Sequence, residues 1–244
     1  MDIRWLNAVI DLPVAAFDQA GDFWAAVTNT SKGDIHPEHD EFVHLNPASG
    51  HMHLELQRID SGPAGVHLDL MVDDIAGATD QAVAAGATVV ARPGHSVLKT
   101  PGGVQFCIVP AGSESRKAPA IDSGRPHAPD QICIDVPHDL FEADVAFWSR
   151  LTGWPANPAV LPEFRSFAQP AHLPLRILLQ QLGADDTGGP RAHLDISAGE
   201  HRSAIVEAHV AQGATIRDAQ DQWTALVSPG DLVYCITDRS PALD

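Results

Sequence analysis

Apolar residues alternate with polar ones, or run unbroken for a few positions, over residues 6–12, 41–45, 51–59 and 65–72, whereas over 14–27 and 75–85 they recur at helical spacing. The first pattern predicts strands and the second amphipathic helices. The same succession returns further along, with strands expected at 131–136, 165–168, 175–182 and 191–197, helices at 140–151 and 202–212, and two more strands closing each stretch. Gly153 stands where a helix stop belongs, and Gly-Ala pairs end the later helices at Gly86 and Gly213. One helix followed by several strands predicts an α+β fold with mostly antiparallel, curled sheets and helices on the outside.

The succession returns because the sequence repeats itself. Val66-His67-Leu68-Asp69-Leu70 matches Ala192-His193-Leu194-Asp195-Ile196, and Ala85-Gly86-Ala87-Thr88-Val89 matches Gln212-Gly213-Ala214-Thr215-Ile216. Gly103-Val104-Gln105-Phe106-Cys107-Ile108-Val109 matches Asp231-Leu232-Val233-Tyr234-Cys235-Ile236-Thr237. Ile10-Asp11-Leu12-Pro13 and Phe23-Trp24 match Ile134-Asp135-Val136-Pro137 and Phe147-Trp148. The blocks keep one order at offsets of 124 to 128, which identifies a duplicated domain. Pro, Gly, Ser and charged residues crowd the stretch between the copies, as in a linker. The expected organisation is therefore a first domain at 1–112, a linker at 113–126 and a second domain at 127–240.

Charge narrows the partners. Lys and Arg total 15 against 32 Asp and Glu, a formal net charge of −17 over 244 residues, which repels nucleic-acid backbones and anionic lipid surfaces. No apolar run approaches the ~20 residues of a membrane span. The N-terminal MDIRWLNAVID does not read as a signal peptide. Three cysteines, an odd number in a chain this size, suit a reducing compartment. These features predict a cytoplasmic protein with neither nucleic-acid nor membrane partners. Monomer and homodimer both stay open.

The ordered blocks resemble the vicinal oxygen chelate superfamily, the glyoxalase/bleomycin-resistance/dioxygenase family, and in particular its tandem glyoxalase-like domains. The carrying features are the helix-borne Phe-Trp pair, the His-Leu-Asp strand followed by Asp73-Asp74, the Ala-Gly-Ala-Thr helix exit, and the turns Pro101-Gly102-Gly103 and Pro229-Gly230-Asp231. The resemblance implies paired βαβββ units forming curled, cup-shaped sheets in which small molecules bind. It also implies four metal-ligand positions in metal-using members: one on the first strand, a Glu on the fourth, a His on the fifth and a Glu on the last. In this chain those positions fall on Asn7, Glu55, His67 and Cys107 in the first copy, and on Gln131, Leu178, His193 and Cys235 in the second. The family's His/Glu/His/Glu set is thus largely replaced.

Two readings of the chemistry follow. In the first, a small, largely apolar molecule binds without metal, with His67, His193, Asn7, Gln131 and His53 offering polar contacts in the cups and no cofactor required. In the alternative, the first copy holds one divalent first-row metal through Glu55 and His67, with His53 as a third donor, and acts as a lyase, isomerase or dioxygenase on vicinal oxygens. Period two along His51-Met52-His53-Leu54-Glu55 places His53 and Glu55 on one face. His67 and His193 are read as half-buried histidines that fix the sheet, a role that explains both copies simply, or else as a hydrogen-bond donor or general base. Cys107 and Cys235, among apolar neighbours, read as inert small hydrophobes. The run His36-Pro37-Glu38-His39-Asp40 reads as a solvated loop. Trp24 and Trp148 are expected in the core, whereas Trp154, Phe164, Phe167 and Trp223 are candidates for a cup opening.

Overall fold

The computed structural model describes residues 1–35, 39–92, 94–112, 115–121, 124, 126–158 and 160–241. The first copy contains β1 (Trp5–Pro13), α1 (Phe17–Val27), β2 (Thr30–Ile35), β3 (Phe42–Pro47), β4 (Leu54–Ile59), β5 (Gly65–Val72), α2 (Ile75–Ala85), β6 (Thr88–Ala91), β7 (Ser96–Lys99) and β8 (Gln105–Pro110). The second contains β9 (Ala128–Val136), α3 (Phe141–Thr152), β10 (Phe164–Ser166), β11 (Arg176–Gln181), β12 (Arg191–Ser197), α4 (Arg202–Ala211), β13 (Thr215–Ala219), β14 (Trp223–Val227) and β15 (Val233–Thr237). The strand order is β2-β3-β4-β1-β5-β8-β7-β6 in one sheet and β10-β11-β9-β12-β15-β14-β13 in the other. This is the tandem α+β arrangement of strand, helix and strands that the repeat predicted. Among the described residues, no helix is long and apolar enough to cross a membrane.

Two differences from the sequence reading have local causes. The helix expected from residue 14 opens with a 3-10 turn at Val14–Ala16, directly after Pro13, and becomes α-helical at Phe17. The strand expected from residue 51 begins only at Leu54. Before it, the His51 N–H donates to the Lys117 carbonyl and the His53 carbonyl accepts from the Ala8 N–H.

The chain forms two compact units, each drawing on both copies. Unit 1 comprises residues 1–7, 67–116 and 132–192, and unit 2 comprises 8–66, 117–131 and 193–244. In unit 1, β5 and β8 pair in parallel, and β7 joins β8 and β6 antiparallel. Helix α3 buries Phe141, Asp144, Val145, Trp148, Leu151 and Thr152, a stripe at three- and four-residue spacing. Phe106 of β8 meets Phe147 and Trp148 with ring centroids 5.8 and 5.5 Å apart. In unit 2, β1 pairs with β4 in parallel, and β12 pairs with β15 in the same sense. Helix α1 buries Ala20, Phe23, Trp24 and Val27, and Trp24 lies 5.1 Å from the ring of Tyr234 on β15. Both Phe-Trp pairs are core, as expected.

The helix ends repeat as well. The Thr28 hydroxyl donates to the Trp24 carbonyl and the Thr152 hydroxyl to the Trp148 carbonyl, each at 2.7 Å. The residue after each threonine turns left-handed, Asn29 at φ 55° and Gly153 at φ 76°. That conformation suits glycine and, less often, asparagine.

Candidate functional site

In unit 1, parallel pairing sets Asp69 of β5 directly opposite Cys107 of β8. His67 lies two residues before Asp69, hence on the same face of the strand. One nitrogen of His67, one oxygen of Asp69 and the sulfur of Cys107 lie within 4.8 Å of one another, and all three residues are buried. His67 Nε2 stands 3.5 Å from Asp69 Oδ1. Burial pushes the Cys107 thiol up; a hydrogen bond with His67 pulls the other way, and the Asp69 charge adds to the rise.

Unit 2 builds the same arrangement from the second copy. Asp195 of β12 pairs in register with Cys235 of β15, and His193 precedes it by two. Their donor atoms also lie within 4.8 Å, with His193 Nε2 at 3.4 Å from Asp195 Oδ1. Here Gln131 Nε2 donates to Asp195 Oδ2 at 2.6 Å. Asn7, the counterpart of Gln131, is 4% exposed, and its Oδ1 has no hydrogen-bond partner among the described residues.

The remaining candidates are placed elsewhere. Glu55 of β4 faces His44 of β3 in register and pairs with its Nε2 at 2.9 Å. His53 is buried with Nε2 2.9 Å from the Pro129 carbonyl, and burial holds its imidazole down to about 4 despite that bond. Leu178 is half-buried in β11 and offers no donor. Of the loop at residues 36–40, His36, Pro37 and Glu38 lie outside the described residues; the exposed His39 and Asp40 pair with Glu41 and Arg58. Phe167 is core, whereas Trp154, Phe164 and Trp223 are half-buried.

Sequence reasoning thus reached His67 and His193 but passed over Asp69 and Asp195 as partners and took the thiols as inert. The recurrence of His-Leu-Asp together with Cys at one position in both copies was the available signal.

The donor set bears on the metal that the family resemblance implies. An imidazole nitrogen, a carboxylate oxygen and a sulfur are each accepted ligands of borderline first-row divalent ions. Three of them buried and convergent fit such an ion. Asp69 on the fifth strand supplies a carboxylate where the family's own glutamate positions carry other residues or other contacts.

Comparison with known proteins places the chain. The family described as a glyoxalase-like domain matches residues 7–109 and again 131–237. No curated protein matches the chain. Among solved structures, the Mn(II)-bound glyoxalase from Novosphingobium aromaticivorans shares 17% identity at a TM-score of 0.68, over 97% of this chain and 81% of that one. A variant of homoprotocatechuate 2,3-dioxygenase from B. fuscum shares 12% at 0.68, over 98% and 72%. A catechol 2,3-dioxygenase shares 15% at 0.61, over 98% and 94%. At such identities the likeness is one of fold. The family match over two ordered segments carries more: the chain belongs to the glyoxalase-like domain family, of the vicinal oxygen chelate superfamily, and holds two copies of its domain.

Proposed function

We propose that this chain binds a small molecule bearing adjacent oxygens at a divalent first-row metal held by His67, Asp69 and Cys107, and acts on it as a lyase or isomerase. The observation that carries the reading is the convergence of three chemically distinct, buried donor atoms within 4.8 Å. The expectation of metal-free binding rested on the lost family glutamates, and Asp69 supplies a carboxylate two residues from the histidine. The metal, when bound, supplies Lewis-acid polarisation of the ligand's oxygens. His67 must stay neutral to ligate, and Cys107 must give up the proton that burial makes it hold. The buried Asn7 amide offers both a donor and an acceptor to a ligand oxygen. Three cysteines with no disulfide among the described residues suit a reducing cytoplasm.

The second copy favours the metal-free reading for its own site. Gln131 already occupies one oxygen of Asp195. His193 there contacts a ligand directly or fixes the sheet.

The test is metal analysis of untagged protein, followed by thermal shift with Mn, Fe, Co, Ni and Zn. About one equivalent per chain, lost in His67→Ala and in Asp69→Asn with the fold retained, supports the proposal. Protein that is empty and indifferent to every ion overturns it and returns the reading to metal-free binding.

A further inference from the structure

Because the domain is duplicated, each buried position in one copy has a counterpart in the other, and one trio differs in kind. Ile3, Ala82 and Phe106 of unit 1, all buried and apolar, correspond to His127, His209 and Tyr234 of unit 2, equally buried. The surrounding rings are conserved in type: Phe147 and Trp148 meet Phe106, whereas Phe23 and Trp24 meet Tyr234. At these three positions unit 1 is apolar and unit 2 carries a polar chain.

That chain is laid out with limited hydrogen bonding. His209 Nδ1, from α4, lies 2.9 Å from the Tyr234 hydroxyl, and the His209 Nε2 has no partner among the described residues. His127, just before β9, has Nε2 2.9 Å from the Val27 carbonyl and 3.4 Å from Asn29 Nδ2. The two imidazole rings stand 5.8 Å apart, and Phe23 presents its ring to His209 at 6.3 Å. Burying polar groups costs stability that an apolar trio of similar shape would not lose. What the histidines add is a titratable core.

We propose that the His127–His209–Tyr234 trio makes unit 2 acid-sensitive, so that on acidification α4 releases from the aromatic core of unit 2 while unit 1 stays closed. A second proton on either ring puts a cation among aromatic side chains and beside the other imidazole. The groups facing His209 are His127 before β9, Tyr234 on β15 and the ring of Phe23 on α1, with Cys235 next to Tyr234 in sequence. Burial holds His209 down to about 3, and His127 pushes the same way. Burial keeps the Tyr234 hydroxyl protonated well beyond the usual range, so it stays neutral throughout. With an unfolded value of about 6.5, this contribution is complete above that pH and drains away as pH falls toward about 3. Unit 1 responds oppositely. Its buried Asp144 is raised to about 6 by burial, so acidification removes a buried charge there.

Hydrogen exchange of the full chain, resolved by peptide and corrected for intrinsic rates, tests this between pH 7.5 and 4.5. Exchange in α4 is expected to quicken at least about tenfold, whereas exchange in α2 and α3 is not expected to quicken. His209→Gln, which keeps a hydrogen bond to Tyr234 without a titrating ring, is expected to cut the acceleration in α4 several-fold. His127→Ile, which restores the unit 1 residue, gives the same readout if the first variant does not fold. Equal quickening in α2 and α4, none in α4, or an acceleration untouched by both variants overturns the proposal.

Discussion

Gln131 Nε2 lies 2.6 Å from Asp195 Oδ2, whereas Asn7, at the equivalent place in the first copy, leaves its amide oxygen without a hydrogen-bond partner among the described residues. The pair differ by one methylene. In the second copy the amide reaches the carboxylate and holds it by a short hydrogen bond to a charged acceptor, the stronger kind. Gln131 thus fixes the Asp195 carboxylate through Oδ2 and leaves Oδ1 toward His193.

Shortening that side chain should release the second site. Gln131→Asn is expected to raise bound metal from about one to about two equivalents per chain, and Asn7→Gln to lower it. Metal analysis and native mass spectrometry read both. A wild-type chain that already binds two equal equivalents would remove the distinction while leaving the metal reading intact.

Asp144 of α3 accepts from the Thr100 hydroxyl at 2.8 Å and from the Gly102 N–H at 2.6 Å, and is fully buried. Burial raises its carboxyl to about 6 against those two bonds. A folded value above the unfolded one means that the protonated form stabilises the fold below about 4, and that this contribution is lost as pH rises through about 6. Asp144→Asn keeps an acceptor for Gly102 without the charge. It is expected to gain on wild type by on the order of 2 kcal/mol between pH 4 and pH 7.5. Thermal melts of both proteins across that range check it; parallel curves would show that Asp144 does not titrate with folding.

The turn that Asp144 holds leaves no room for a side chain. A Cβ on Gly102 would stand 2.7 Å from Asp144 Oδ2 and 2.7 Å from Val136 Cγ1, both interior atoms. Gly102→Ala should cost about 1–3 kcal/mol, as overpacking does. Gly65, at the start of β5, has open space around its Cβ direction, so Gly65→Ala is the matched control and should change stability by no more than about 0.5 kcal/mol.

Period and repetition made the fold legible. Each strand–helix–strand stretch was readable because its apolar spacing returned in the same order at offsets of 124 to 128, and the Phe-Trp pairs fell inside the helices as expected. The site was less legible. Period two predicted that Glu55 and His53 share a face, but it cannot say which strand lies alongside. Its neighbours proved to be β1 and β3, and His44 of β3 takes the carboxylate. The same limit hid Asp69 from Cys107, since their meeting depends on parallel pairing between strands about 40 residues apart. Only the duplication, which repeats His, Asp and Cys together, hinted that the three belong to one place.

Cys107 offers the sharpest test of that place. It stands where the resemblance puts a glutamate in metal-using members, facing Asp69 across the strand pair. Thiolate is a softer ligand than carboxylate and shifts preference from manganese toward zinc. It also resists ionisation here, because burial pushes the thiol up. Cys107→Asp is close in size and replaces sulfur with a hard oxygen. If the thiol ligates, this variant loaded from equal mixtures of Zn and Mn should move its bound ratio toward Mn by about tenfold or more, a shift of about 1.4 kcal/mol between the two ions. Cys107→Ala should lower the affinity for both. A bound ratio identical to wild type in Cys107→Asp would mean that the sulfur never touches the metal, and the site would then reduce to His67 and Asp69 alone.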